Sequence, residues 1–241
     1  MPLPYFFVEQ LVSPGQSLIL SEEQSKHIVQ VLRMQKDEEI LLTDGKGTKA
    51  HTVVTDDHRK RCEVKIISVE REEEQISKVS IGISIIKNAS RFEWFLEKAT
   101  EIGVHEIIPL ICERTEKEKF RFERMQNILI SAMLQSQQCW LPVLHEPTPF
   151  ENVLEKNSGG LNFIAHCLPE QKQQLSFLIN HSPFTIHPSS FILIGPEGDF
   201  TEKEIQLALS ENFIPVALGN TRLRTETAGI VSASILRMHT Q

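Results

Sequence analysis

Strand-like and helical segments alternate from Val79 to Met238, and that alternation restricts the fold more than any other feature of the chain. Val79 to Ile86, Glu106 to Ile111, Leu161 to Ala165, Phe191 to Ile194 and Pro215 to Leu218 are strand-like segments. Helical periodicity fills the gaps. Arg91 to Ile102 sets Phe92, Phe95, Leu96, Ala99 and Ile102 on one face, and Gly103 supplies a C-terminal stop. Phe122, Met125, Ile128, Leu129, Ala132 and Met133 mark a second helix, and Gln171 to Ile179 a third. Another helix starts at Glu202, and a last one runs from about Thr225 to Met238. This order predicts an α/β domain over 76–241, with a mostly parallel sheet covered on both faces.

Residues 1 to about 72 follow a different rhythm. Leu18 to Leu20, Glu39 to Leu42, Thr52 to Val54 and Cys62 to Val69 are short strand candidates. Asp44-Gly45-Lys46-Gly47 and the stretch from Asp56 to Arg61 separate them as turns. One helix interrupts the strands: Ser21 and Gln24 have capping-box spacing, and Ile28, Val31 and Leu32 fall on one helical face. Short strands at this spacing predict a barrel-like sheet. The charged run from Glu70 to Gln75 reads equally as a solvated domain boundary or a strand end.

Composition narrows the function. Hydrophobic residues make up 40% and charged residues 24% of the 241, so a core of ordinary size is expected. The formal net charge of -7 argues against a protein that coats nucleic acid nonspecifically, because that mode neutralises many phosphates. It leaves room for one local basic patch. No apolar run is long enough to span a bilayer, and the first residues lack the pattern of a secretory signal. Cys62, Cys112, Cys139 and Cys167 stand far apart with no CxxC pair, as expected of reduced thiols in a cytoplasmic protein; no metal site is expected.

In parallel sheets, ligands bind beyond the carboxyl ends of the strands. Two loops there are distinctive. The first follows Phe191 to Ile194 and reads Gly195-Pro196-Glu197-Gly198-Asp199-Phe200-Thr201. Its glycines permit close backbone approach to a ligand. Thr201 and Glu204 have capping-box spacing, and Phe200 and Ile205 are placed for a hydrophobic staple. The second loop is Leu218-Gly219-Asn220-Thr221-Arg222-Leu223-Arg224. A helix follows, with Thr225 or Thr227 as its expected cap. Its positive end would favour an anionic group. Taken alone, each loop is also compatible with an ordinary capped connection.

Gly195-Pro196-Glu197-Gly198, then Leu218-Gly219, then Leu223-Arg224-Thr225-Glu226-Thr227-Ala228 together resemble the SPOUT methyltransferases. Within them the chain is most similar to the type that methylates N3 of a uridine in small-subunit (16S) ribosomal RNA. Supporting blocks are His27 with Val31-Leu32-Arg33-Met34, the run from Glu97 to Val104, Gln135-Ser136 and Leu141-Pro142. The resemblance implies a PUA-like β-barrel over 1–72 that binds RNA, and a SPOUT domain over 76–241 ending in a trefoil knot. It also implies a homodimer that uses S-adenosylmethionine. His166, Ile194, Gly195, Pro196, Glu197, Gly198, Leu218, Gly219, Leu223, Arg224 and Thr225 would hold that cofactor. Three positions depart from the pattern: Asp199 replaces a usual glycine, implying a stiffer loop, and Leu134 and Gln138 replace a frequent glutamate and arginine. An arginine usual near the N-terminus is also missing from Met1 to Phe7.

On this resemblance, Arg224 would stabilise charge developing on a uracil oxygen as the N3 proton leaves. Glu226 would take that proton or orient Arg224. Lys26, His27, Arg33, Arg59, Lys60 and Arg61, with Lys46 and Lys49, are the expected RNA contacts of the first domain. Two other functions remain open at this point: 2′-O-ribose methylation of transfer or ribosomal RNA, and RNA binding without catalysis.

Overall fold

The computed structural model describes residues 3–116, 119–155, 160–169, 172–181 and 189–238. The chain divides into two compact units, one of 1–74 with 133–141, the other of 75–132 with 142–241.

The first unit is built on a mixed five-stranded sheet. Its strands are β1 (Tyr5–Phe7), β2 (Ser17–Ile19), β3 (Glu39–Thr43), β4 (Thr48–Asp56) and β5 (Glu63–Arg71), in the order β1-β3-β4-β5-β2. β1 runs parallel to β3 and the other pairs are antiparallel. Alternate residues of β4 and β5, among them Ala50, Val54, Val64 and Ile66, fill one core with Phe6, Leu20, Ile28, Ile40 and Leu42. α1 (Glu22–Lys26) starts as expected, with both halves of the Ser21–Gln24 capping box formed.

A π-helical turn, His27–Val31, then replaces the expected helical continuation. Only Ile28 of the predicted face is buried; Val31 and Leu32 are exposed. The wider turn shifts residues off the 3.6-residue period on which that expectation rested. Part of the charged run, Glu70 and Arg71, completes β5. Residues 133–141 join this unit, with Leu141 donating to the Gly45 carbonyl and the Trp140 ring lying on Gly47, where a Cβ would approach ring carbons to 2.3 Å.

The second unit carries an eight-stranded sheet in which every pairing is parallel. Its strands are β6 (Val79–Ser84), β7 (Glu106–Ile111), β8 (Val143–Leu144), β9 (Thr148–Pro149), β10 (Leu161–Ala165), β11 (Gln173–Gln174), β12 (Ser190–Ile194) and β13 (Ile214–Ala217). They lie in the order β11-β13-β10-β12-β6-β7-β8, with β9 also on β7. All residues of β6 and β12 are buried; β12 accordingly reads as an unbroken apolar run from Phe191 to Ile194, whereas β6 alternates Val79, Ile81 and Ile83 with the small Ser80, Gly82 and Ser84, which are buried too.

Helices cover both faces. On one side α4 (Phe150–Leu154) and α6 (Glu202–Ser210) pack Phe150, Val153, Ile205 and Ala208 against Ile108, Ile164, Phe191 and Leu193. On the other side lie α2 (Ala89–Ile102) and α7 (Thr225–Met238). α2 has Phe92, Phe95, Leu96 and Ala99 buried, Ile102 half-buried and Gly103 in the left-handed region at φ 90. α3 (Phe122–Gln135) forms where periodicity places it.

The helix expected over Gln171 to Ile179 is shorter. α5 spans Leu175–Asn180, because Gln173 and Gln174 instead add β11 to the sheet edge beside β13; Gln171 lies outside the described residues. β1, β8, β9 and α4 were not expected from the sequence; each is only two to five residues long, too short for periodicity to register.

α7 and α2 approach closely at Gly229, where an added Cβ would meet the Phe95 ring at 2.5 Å and Ile83 at 3.0 Å. A helical Gly→Ala change ordinarily gains about 1 kcal/mol of propensity. Here overpacking, about 1–3 kcal/mol, outweighs that gain. Gly229→Ala is therefore expected to lower the urea midpoint with an unchanged slope, and a raised midpoint would show that the two helices separate freely.

Candidate functional site

β13, β10 and β12 are adjacent and parallel, so their carboxyl ends open side by side. Beyond them lies a cavity of about 740 Å³. Its wall is made by Ala165 and His166 after β10, by Ile194 to Glu197 and Asp199 after β12, and by the stretch from Val216 to Thr225 after β13, with Arg91, Cys167, Lys172 and Ala228.

Side chains outside the cavity floor tie these loops down. The Thr225 hydroxyl donates to the Gly195 carbonyl at 3.1 Å, joining the second loop to the first. This differs from the expected cap: Ala228 N–H bonds the Arg224 carbonyl, so Arg224 occupies the capping position and Thr225 is already helical. At Gly195 a Cβ would meet the Phe200 ring at 3.0 Å, so the loop needs a residue without a side chain. Thr201 and Glu204 form the full capping box, and Phe200 and Ile205 share the core on the α6 side. The buried Glu204 carboxylate also accepts from Glu113 N–H at 2.9 Å. Arg114 donates to the Gly198 carbonyl at 2.7 Å.

Asp199 sits at φ 66, a left-handed backbone that Asp tolerates better than most residues. Its carboxylate accepts from Cys167 N–H at 2.7 Å and from Phe200 N–H at 2.9 Å. The Asp side chain thus fastens the first loop to the β10 loop, a bond that glycine has no means of making. Gly219, at φ 125 with open space where a Cβ would stand, turns the second loop. Lys172 donates to the His166 carbonyl at 2.7 Å and the Leu168 carbonyl at 2.5 Å.

The cavity therefore gathers ten of the eleven residues expected to hold a cofactor; Gly198 is the one that does not line it. Arg224 lines it and is exposed. Glu226 does not line it: the carboxylate is buried behind the wall, 3.7 Å from Arg91 Nε. Sequence reasoning missed Arg91, Lys172 and Cys167. Each stands in a different segment from the two glycine loops, and only the fold brings them there.

In the first unit, Lys26, His27, Arg33, Arg59, Lys60 and Arg61 are all exposed. Glu22 draws two of them together, with Lys26 at 2.8 Å and Lys60 at 4.0 Å, and those ammonium groups hold its carboxyl below the ordinary value. His27 packs edge-on against Phe6. Among the described residues no group of His, Cys, Asp and Glu is arranged to hold a metal ion, and no helix is long and apolar enough to cross a membrane.

A parallel sheet whose loops build a cleft at neighbouring strand ends, on one chain with a small mixed sheet, defines a two-part protein whose α/β domain carries a ligand-sized site. Residues 72–237 match the family described as RNA methyltransferase domain, and residues 20–67 match the RNA methyltransferase PUA domain. The chain belongs to this RNA methyltransferase family. A Synechocystis relative, "Ribosomal RNA small subunit methyltransferase E", is 30% identical over 93% of this chain and 73% of its own length. The crystal structure of a probable rRNA-methyltransferase from Porphyromonas gingivalis is 34% identical, with a TM-score of 0.90 over 99% of this chain and 98% of that one. The Neisseria gonorrhoeae ribosomal RNA small subunit methyltransferase E bound to S-adenosyl methionine is 29% identical, with a TM-score of 0.85 over 98% of both chains.

The cavity marks one cysteine out. Cys62, Cys112 and Cys139 are buried, and burial pushes their thiols up to about 11, 12 and 12. At pH 8 they stay protonated and inert, since the thiolate is the nucleophile. Cys167 is exposed on the cavity wall. Maleimide treatment of the native protein should label Cys167 alone, with the other three reacting only after denaturation; rapid native labelling of any of those three would contradict their burial.

Proposed function

We propose that this protein transfers a methyl group from S-adenosylmethionine to N3 of a uridine in 16S ribosomal RNA, as part of small-subunit maturation in the cytoplasm. The cavity carries this proposal. Its volume is within the ordinary span for small-molecule sites, roughly 300–1,000 Å³. Its lining suits the cofactor chemically: Ile194, Pro196, Val216, Leu218 and Leu223 offer apolar contact to a flat purine, while Glu197, Asp199 and Arg222 offer charge to a zwitterionic tail. Full-length likeness to small-subunit methyltransferases E, one of them bound to S-adenosyl methionine, supports the same substrate class and cofactor.

When bound, S-adenosylmethionine supplies an electrophilic methyl on sulfur. The chain's own work is to orient the base and stabilise charge. N3 is hidden in a base pair, so the uridine must be unpaired or flipped to reach the cleft. Arg224, which lines the cavity at the start of α7, would meet the uracil oxygen on which charge accumulates as the N3 proton leaves. Glu226, buried in the first turn of α7, acts in this proposal by holding the helix start rather than by taking the proton. Phosphates of the RNA would meet the exposed cations of the barrel, around Lys26, His27, Arg33 and the Arg59-Lys60-Arg61 turn.

We further propose that the chain works as a homodimer through its second domain and that its C-terminal segment forms a trefoil knot. Strand order supports the knot: β10 lies between β12 and β13, and the chain leaving β13 returns to bond Gly195 before α7 packs on β6 and β12.

Nucleoside mass spectrometry of 16S RNA treated with the protein should find methylated uracil carrying the label on N3. A label on ribose 2′-oxygen would replace this proposal by the ribose one, and no label with retained RNA binding would leave a binding module. Arg224→Ala should lower the single-turnover rate by roughly two to three orders of magnitude, the scale for losing one oxyanion donor. Cofactor affinity should change far less, and Arg224→Lys should recover only part of the rate. A near-parental rate in Arg224→Ala would remove the residue from catalysis. Light scattering of the same preparations should give the mass of two chains; a fully active monomer would end the dimer proposal.

A further inference from the structure

Arg91 occupies the first turn of α2, the positive end of that helix, where no acidic residue accompanies it. A cation there opposes the helix dipole. Its side chain turns away from α2 to two carboxylates on other elements. Nη1 donates to Glu197 on the first cavity loop at 3.4 Å, and Nε lies 3.7 Å from Glu226 at the start of α7.

The two partners differ. Glu197 is half-exposed, and its pairing is screened by water. Glu226 has 7% of its side chain exposed, and its second carboxylate oxygen is buried without a hydrogen-bond partner. Among the described residues Arg91 is the cation within ion-pair distance of it. A buried carboxylate left without a neighbouring cation is strongly unfavourable, and the structure relieves it by movement. Such movement would act on the start of α7, where Thr225 holds Gly195 and the preceding Arg224 faces the cavity.

We infer that Arg91 is a positioning residue that fixes the first cavity loop and the start of α7 at once by compensating the buried Glu226. It sets the distance between the backbone that grips the cofactor and the arginine that meets the base. The inference rests on the methyltransferase proposal for its functional consequence and on geometry for the coupling itself. Loss of Arg91 is harmful because Glu226 is charged, so neutralising Glu226 should remove most of the harm. That dependence separates positioning from simple packing, because a packing defect from a lost side chain would persist whatever the charge at position 226.

The test is a double-mutant cycle of Arg91→Met, Glu226→Gln and the pair together, with Arg91→Lys as a fourth variant that keeps one charge near Glu226 without the planar fork. Two quantities are read: S-adenosylmethionine affinity by calorimetry, and amide exchange of 195–199 and 222–226 without cofactor. Arg91→Met should weaken affinity about tenfold and speed exchange in both segments, within the span measured for coupled neighbours. The double variant should be no worse than Glu226→Gln alone, and Arg91→Lys should fall between the parent and Arg91→Met. Parental behaviour of Arg91→Met, or additive losses in the double variant, would overturn the inference. If Arg91→Met does not fold, recovery of folding in the double variant supports it and failure there overturns it. If the parent protein binds no S-adenosylmethionine, the functional proposal fails, and the exchange cycle alone decides the coupling.

Discussion

A buried hydrogen bond from the Thr225 hydroxyl to the Gly195 carbonyl joins two residues thirty positions apart in sequence and ties the two cavity loops together, and the geometry of the cavity follows from it. Gly195 accepts this bond while lying against the Phe200 ring, which leaves no space for a side chain. Phe200 in turn is anchored in the core beneath α6, and the Thr201–Glu204 box fixes where that helix begins. The same bond fixes the start of α7, with Arg224 at its capping position and the buried Glu226 in its first turn. The loops around the cavity are thus pinned by side chains: Asp199 on Cys167, Arg114 on Gly198, Lys172 on His166. Pinning of this kind lowers the ordering cost of binding, because the groups a ligand meets are already in place.

Charge is distributed with similar economy. The chain carries a net charge of -7, yet cations line the cavity at Arg91, Lys172, Arg222 and Arg224, and others cluster on the first unit near Glu22. At physiological ionic strength a charge is felt over only about 8 Å. Local sign therefore governs what approaches each surface, and the excess of carboxylates elsewhere does little to repel an anion from either group of cations. The cavity also keeps carboxylates, Glu197 and Asp199, close to its arginines. A ligand with both signs of charge suits such a lining better than a simple anion.

Much of the local structure was legible in the sequence because its causes are local. The Ser21–Gln24 and Thr201–Glu204 boxes, the Gly103 stop, the apolar face of α2 and the buried runs of β6 and β12 follow from spacing and residue type over a few positions. The two glycine loops were legible for the same reason. Where local reasoning failed, a distant partner had intervened. A π-turn moved Val31 and Leu32 into solvent, Gln173 and Gln174 were drawn into a sheet edge by β13, and Thr225 gave its hydroxyl to Gly195 instead of capping its own helix.

Sequence by itself determined that the second part of the chain would be a parallel α/β domain, that two loops at its strand ends would bear glycines, and that Arg224 would stand at a helix start. Tertiary structure decided which strands are neighbours, and hence that the ends of β10, β12 and β13 open into one cavity. It also decided that Arg91, more than one hundred residues before the second loop, would face both Glu197 and Glu226. The physical reason is one of range. Propensity, capping and periodicity act within a turn or two of the chain, whereas an ion pair or a buried hydrogen bond needs only proximity in space, which the packing of the whole sheet supplies.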